Sequence, residues 1–133
     1  RKALNFLAEF CQLNGDPQNV ISDAENLLQS YKIDQALLIP LKNLLELMDV
    51  QQLESTQVLI NLGLARGIAY YTGMIFEIKH DASKDPLCGG GRYDDLVHAL
   101  GGEHIPALGF AYWIESIAEL CDIEMIDVNS HQI

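Results

Sequence analysis

Positive charge is scarce in this sequence. Lys and Arg together number 8 against 19 Asp and Glu, and the formal net charge is −11 over 133 residues. A field of that sign repels phosphate backbones, which argues against this segment gripping tRNA or DNA and leaves a small ligand or another protein as its partner. Cysteine is scarce too. Cys11, Cys88 and Cys121 are odd in number, far apart and without C-x-x-C spacing. That spacing fits a reducing cytoplasm better than a disulfide framework, and plain packing is expected of all three. No apolar run approaches a membrane span and no basic-then-apolar leader is present, so the chain reads as cytoplasmic with no membrane partner. Internal repeats, low-complexity tracts and a phosphate-binding P-loop are missing, and no Ser-His-Asp or Cys-His nucleophile set can be assembled. His98 and His104 lack carboxylate or cysteine partners at metal spacing. They read as helix-surface and loop residues, and no metal is expected.

What remains is a globular composition, 49% hydrophobic, in a chain long enough to bury a core. It begins at Arg1 rather than Met and trails after Ile123 into Asn129, Ser130, His131 and Gln132, which leads us to expect a piece of a longer protein. The first third carries helical periodicity. A helix is expected around Ala3 to Leu13, ending at Asn14-Gly15. Asp16-Pro17 then supplies a capping carboxylate and a first-turn proline, with Val20, Ile21, Ala24, Leu27, Leu28 and Tyr31 on one face. Asp34 opens a short helix that Pro40 interrupts or restarts, and Leu41, Leu44, Leu45 and Met48 form the next stripe.

From Thr56 the period becomes that of strands. Val58 to Leu62 reads as a buried strand. Thr72 to Lys79 alternates Met74, Phe76 and Ile78 against Ile75, Glu77 and Lys79, as an antiparallel strand covered on one face does. His80 to Pro86 reads as a loop and Cys88 to Gly91 as an extended segment. A helix follows at about Tyr93 to Leu100, stopped by Gly101-Gly102. Ala107 to Tyr112 reads as a last strand, running into a helix with Trp113, Ile114, Ile117, Ala118 and Cys121 inward. Helices first, then antiparallel strands with helices on one side, is an α+β arrangement. The candidate seam lies near Val50 to Ser55, dividing a helical segment, 1–53, from a sheet-bearing segment, 54–133.

Within the second segment, one ordered set of residues looks chosen for recognition rather than packing. It runs Arg66-Gly67-Ile68-Ala69-Tyr70-Tyr71-Thr72-Gly73, Phe76-Glu77, Gly89-Gly90-Gly91-Arg92-Tyr93-Asp94 and Pro106-Ala107-Leu108-Gly109-Phe110. Glycines admit close approach of a ligand, tyrosines offer flat faces with hydroxyl tips, and arginines bring fixed charge into an acidic chain. Glu77 reads either as a pocket-side carboxylate or as a solvated strand residue, and is placed with the pocket. Asp94 and Asp95 stand where carboxylates favour the start of a helix.

In order, spacing and identity this set resembles the back half of the class II histidyl-tRNA synthetase catalytic domain, over roughly Val58 to Leu120. The resemblance implies part of the class II antiparallel sheet with flanking helices, and a sheet edge that another chain or the rest of the protein covers. It implies a histidine site made of Arg66, Tyr70, Tyr71, Glu77, Gly89, Gly90, Gly91 and Tyr93. Arg66 would reach the substrate carboxylate and the α-phosphate of ATP. The three tyrosines would surround the imidazole, whose donor and acceptor nitrogens suit phenol hydroxyls. The triple glycine would line the pocket because a Cβ there would collide with the ligand.

Three positions depart from the family pattern. Ser116 stands where an arginine holds the γ-phosphate, Trp113 where a glycine lies close to the adenine and ribose, and Ala69 where an aspartate helps organise the motif. A hydroxyl does not replace a forked cation on a polyphosphate, a contact worth about 1.5–3 kcal/mol. The amino-acid side of the site persists while the nucleotide side is lost, which is the pattern of the histidyl-tRNA synthetase-like regulatory subunit of ATP phosphoribosyltransferase. That reading implies L-histidine as ligand, the catalytic subunit of ATP phosphoribosyltransferase as partner, a homo-oligomer, and neither cofactor nor catalytic residue. Two alternatives stay open. One is a fragment of an active synthetase, with Arg66 catalytic and ATP and magnesium required; the other is a pseudo-synthetase domain used for dimerisation.

Overall fold

The computed structural model describes residues 1–50, 57–67 and 69–121. They form two compact units, divided between Ala65 and Arg66. Most of the compositional seam at Val50 to Ser55 lies outside the described residues, as do Ile68 and the polar tail after Ile123. The first unit reaches past that seam because Ile60–Asn61 pairs back onto Asn14–Gly15. The chain is an α+β protein, and no helix among its described residues is long and apolar enough to cross a membrane.

In the first unit α1 (Lys2–Phe10) is followed by β1 (Asn14–Gly15), α2 (Pro17–Tyr31), a 3₁₀ turn (Gln35–Leu38), α3 (Ile39–Val50) and β2 (Ile60–Asn61). The Asp16 carboxylate accepts the N–H groups of Gln18 (3.0 Å) and Asn19 (3.3 Å), with Pro17 at the first helical position. These satisfy donors that the first turn leaves without partners. At the other end of α2, Lys32 adopts the left-handed region (φ 59°) and Ile33 N–H returns to the Leu28 carbonyl at 2.9 Å, closing the helix without a glycine. Pro40 restarts the chain as the second residue of α3, where its missing N–H has no partner to lose.

The core of this unit is Ala24, Leu28 and Leu38, with Phe6, Phe10, Leu13, Ile33 and Leu62 packed around them. Three sequence expectations change here. Asn14-Gly15 is a strand as well as a helix end, with Asn14 opposite Asn61 and Gly15 opposite Ile60. The strand expected over Val58 to Leu62 contracts to Ile60–Asn61, of which Ile60 is buried while Leu59 is exposed. In α3, Leu44 turns outward while Leu41, Leu45 and Met48 are half-buried.

The second unit is a three-stranded antiparallel sheet ordered β3 (Ile75–Ile78), β4 (Cys88–Arg92), β5 (Leu108–Tyr112), with short helices α4 (Leu96–Ala99) and α5 (Ile114–Leu120). Phe76, Gly90 and Phe110 stand in one cross-strand row, and Ile75, Gly91 and Gly109 in the next. The period-two pattern of β3 is real, but the covered side is Ile75 and Glu77, while Phe76 and Ile78 are exposed.

The strand is shorter than Thr72 to Lys79 because Thr72 and Gly73 both donate to the Arg92 carbonyl, at 2.9 and 3.3 Å, instead of continuing the ladder. The helix expected from Tyr93 shrinks to α4 because Tyr93 and Asp94 are bonded to neighbouring segments. Tyr93 N–H donates to Ala107 O (2.8 Å) and Asp94 N–H to Thr72 Oγ1 (2.9 Å). The helix after β5 also differs from expectation. Ile114, Ala118 and Cys121 are exposed and only Ile117 of the expected inward set is half-buried, with Trp113 at the margin. Of the three cysteines, all free, Cys88 is buried in β4, whereas Cys11 and Cys121 are exposed and do not pack as expected.

Leu28 is fully buried and at the centre of the first unit's core. Replacing it with alanine should destabilise the protein by about 2–5 kcal/mol, from lost transfer energy and the cavity left behind. Urea unfolding followed by circular dichroism measures this; a loss below about 1 kcal/mol would contradict the core assignment.

Candidate functional site

Strand β4 is the floor on which the site is built. Its residues Cys88 to Gly91 are buried, and three of the four carry no side chain, so neighbouring groups close over the backbone. A Cβ on Gly89 would run into the Arg66 guanidinium. One on Gly91 would lie 2.8 Å from Ile75 Cγ2 and 2.9 Å from Tyr71 Cδ1, and one on Gly90 would lie 2.6 Å from Phe110 Cβ. These glycines are therefore required by the protein's own neighbouring side chains and backbone, a constraint separate from any collision between a Cβ and a ligand. Gly89 alone of the three lines the cavity; Gly91 sits beneath Tyr71, and Gly90 faces Phe110 across the ladder.

The cavity above that floor measures about 270 Å³. Arg66, Tyr70, Tyr71, Gly89 and Tyr93 line it, together with Gly109, Phe110, Ala111 and Trp113. The tyrosines form a cluster. Ring centroids lie 4.8 Å apart for Tyr70 and Tyr71, 5.3 Å for Tyr70 and Tyr93 and 6.3 Å for Tyr71 and Tyr93, with all three pairs tilted or edge-on. Such geometry suits the aromatic quadrupole. The Tyr93 hydroxyl reaches over Gly109, where any Cβ would meet it.

Tyr70 has its pKa raised above the ordinary 10.0, chiefly by the neighbouring Tyr71 hydroxyl, then by desolvation and the charges that Tyr71 and Tyr93 would carry, with Arg66 opposing. Tyr70 therefore keeps its proton near neutrality and can donate a hydrogen bond.

Arg66 is held on several sides. Its Nη1 donates to Glu77 Oε1 at 3.0 Å, with the two side chains 12% and 17% exposed, and Glu77 Oε2 also takes exposed Lys79 at 3.1 Å. The Arg66 Cζ lies 5.3 Å from the Trp113 ring centroid, in cation–π range. Arg66 Nε is buried without a hydrogen-bond partner among the described residues, an unsatisfied donor of the kind that functional sites retain. Glu77 thus faces the site and backs Arg66 without lining the cavity itself.

Asp94 does more than favour a helix start. Its carboxylate accepts Arg92 Nε at 2.8 and 3.0 Å and Ala107 N–H at 3.3 Å, while its own N–H goes to Thr72. It thereby fastens the turn carrying Tyr93 to the segments before β3 and β5. Sequence reasoning missed this tie and omitted Gly109, Phe110 and Ala111 from the site, although Pro106 to Phe110 had been singled out as a block. His98 and His104 stack at 3.7 Å, with His98 Nδ1 3.3 Å from Gly102 O. No group of three metal-type ligands exists among the described residues.

Comparison with known proteins places these features in a family. A family model described as histidyl-tRNA synthetase matches residues 1–117. The histidine–tRNA ligase of Methanocaldococcus jannaschii is 49% identical over 74 residues, 56% of this chain and 17% of the relative. That of Methanococcus aeolicus is 38% identical over 122 residues, 90% of this chain and 27% of the relative. Among solved structures, an ATP phosphoribosyltransferase regulatory subunit/histidyl-tRNA synthetase from Bacillus halodurans matches with a TM-score of 0.65 and 29% identity, covering 86% of this chain and 29% of that one. The chain thus spans about a quarter of the length of the relatives that match most of it.

Two expectations follow from the geometry. Because the folded pKa of Tyr70 exceeds the ordinary phenol value, its linkage contribution to stability is complete below pH 10.0 and is lost as pH rises through the raised value. Ultraviolet titration should show that Tyr70→Phe removes a late-ionising phenol; loss of an early one would contradict the cluster. Replacing Asp94 with alanine should cost about 1 kcal/mol, its carboxylate being partly solvated, and should loosen Tyr93. Faster hydrogen exchange at Tyr93 and Ala107 reads this directly, and unchanged exchange would refute the tie.

Proposed function

The chain belongs to the histidyl-tRNA synthetase family, and we propose that it is part of a member that binds free L-histidine without aminoacylating, as the regulatory subunit of ATP phosphoribosyltransferase. The observation that carries this reading is the composition of one cavity. The hydroxyls of three tyrosines can meet the donor and acceptor nitrogens of an imidazole, and Arg66 can meet a carboxylate. The Arg66 Nε without a partner supplies a further donor. A cavity of about 270 Å³ lies below the ~300–1,000 Å³ of pockets for drug-sized ligands and suits one amino acid.

Two residues count against ATP beside it. Trp113 occupies the space against Arg66, and half-buried Ser116 on α5 offers a hydroxyl where a polyphosphate needs a cation. No adenylation step is therefore assigned to this chain, and neither a cofactor nor a catalytic residue is proposed. In the regulatory reading, histidine binds one conformation preferentially and shifts the assembly with the catalytic subunit toward lower activity. The shift is no larger than the ligand's differential affinity for the two states. A homo-oligomer fits the sheet, whose outer strands β3 and β5 are edges among the described residues.

The second reading, a piece of an active synthetase requiring ATP and magnesium, is favoured by the names of the relatives, which are histidine–tRNA ligases. Calorimetry of the full-length protein separates the readings. Heat with L-histidine and none with ATP is the expected result. Heat with both, accompanied by histidine-dependent pyrophosphate exchange, would establish the synthetase instead, and heat with neither would leave a domain used for assembly. Arg66→Ala should weaken histidine binding by about 1.5–3 kcal/mol, the scale of a charge-assisted hydrogen bond. An unchanged affinity would remove Arg66 from the site.

A further inference from the structure

We infer that Trp113 determines what the pocket accepts: its indole holds the Arg66 guanidinium in place and closes the cavity at the carboxylate end, so that a free amino acid enters and a derivative extended through its carboxyl group does not. The inference rests on the reading of the cavity as a histidine site and adds to it a residue that decides specificity.

The geometry around Arg66 supports this. Arginine is a long side chain whose ordering costs conformational entropy, and here three groups confine it. Glu77 takes Nη1 at 3.0 Å, the bare backbone of Gly89 lies against the guanidinium, and Trp113 covers it with Cζ 5.3 Å from the ring centroid. Gly89 and Trp113 both line the cavity, but Gly89 is buried in β4, and the group that also reaches solvent, at 36% exposed, is Trp113. It thus stands between the arginine end of the pocket and solvent. Its backbone is fixed, since Trp113 N–H donates to Leu87 O at 2.9 Å, tying it to the start of β4.

Two consequences follow from the chemistry of the pair. The guanidinium is pre-organised to receive a carboxylate, because Glu77 and the indole hold it while its Nε keeps an N–H without a partner among the described residues. A ligand whose carboxyl carbon bears a further bulky group meets that indole, so the wall acts by exclusion as well as by attraction. Trp113 touches Arg66 and bounds the cavity; it is a positioning and specificity residue, with no chemical step assigned to it.

The test uses the full-length protein as wild type, Trp113→Gly and Trp113→Phe, with calorimetric titrations of two probes. One is L-histidine, and the other is the non-hydrolysable acyl sulfamate of histidine with adenosine, which keeps an anionic group while extending beyond the carboxyl carbon. Wild type should bind histidine and reject the acyl sulfamate. Trp113→Gly should lose about three- to tenfold in histidine affinity, the range expected for a partly exposed cation–π contact, and gain measurable binding of the acyl sulfamate. Trp113→Phe, which keeps an aromatic face, should stay within about twofold of wild type for histidine and still reject the larger probe.

Thermal melts of each variant distinguish a lost contact from a lost fold. If Trp113→Gly does not fold, Trp113→Leu, which keeps an apolar side chain without the ring, takes its place with the same expected gain of acyl sulfamate binding. Wild type that binds histidine and the acyl sulfamate alike overturns the inference and leaves the histidine reading standing. So does a folded Trp113→Gly with unchanged affinity for both probes. Wild type that binds neither probe removes the histidine reading itself, and the inference with it.

Discussion

The second unit depends on a strand that has almost no side chains. Strand β4 lies between β3 and β5 and presents Gly89, Gly90 and Gly91 in succession. Bare backbone there admits Arg66 on one position, Tyr71 and Ile75 on another and Phe110 on a third. Any β-carbon would push one of these groups away. The cost of such a strand is lost packing and added backbone entropy. The return is that a guanidinium and an aromatic cluster can approach the sheet to within contact distance, which no sheet with ordinary side chains at those positions allows.

Electrostatics then explains why one arginine suffices. In a chain of net charge −11, Arg66 is a half-buried cation with Glu77 against it and Lys79 on the far oxygen of the same carboxylate. Removing one member of such a pair leaves a poorly solvated charge behind, so Glu77 keeps Arg66 in its cavity even though it does not line the cavity itself. Trp113 completes the enclosure through its ring face. The three tyrosine rings share that cavity with Arg66 and Trp113, and the Tyr70 phenol has its pKa raised by the neighbouring Tyr71 hydroxyl.

Much of this was legible from residues alone, for stated reasons. Asp16-Pro17 marks the start of α2 because capping and first-turn proline act locally, within four residues. The Arg-Gly, Tyr-Tyr, triple-glycine and Gly-Phe blocks point to one site because their residue types suit recognition and their order matches a known family. Other features were misread because they depend on partners distant in sequence. Asn14-Gly15 is a strand only because Ile60–Asn61 comes to meet it. The helix after Tyr93 is short because Asp94 binds Arg92, Thr72 and Ala107 rather than the helix it precedes. Phe76 and Ile78 look like core residues by alternation, yet the covered face of β3 is the one that carries Glu77.

The sequence by itself determined the family, the α+β class, the positions of the longer helices and the set of side chains available for recognition, because these follow from local periodicity, capping chemistry and residue identity. Only the tertiary structure decided which of those side chains share a cavity, why each glycine is needed and that Trp113 lies on Arg66. The physical reason is that contacts across a sheet are fixed by strand register and loop closure, and neither is written in the spacing of residues along the chain.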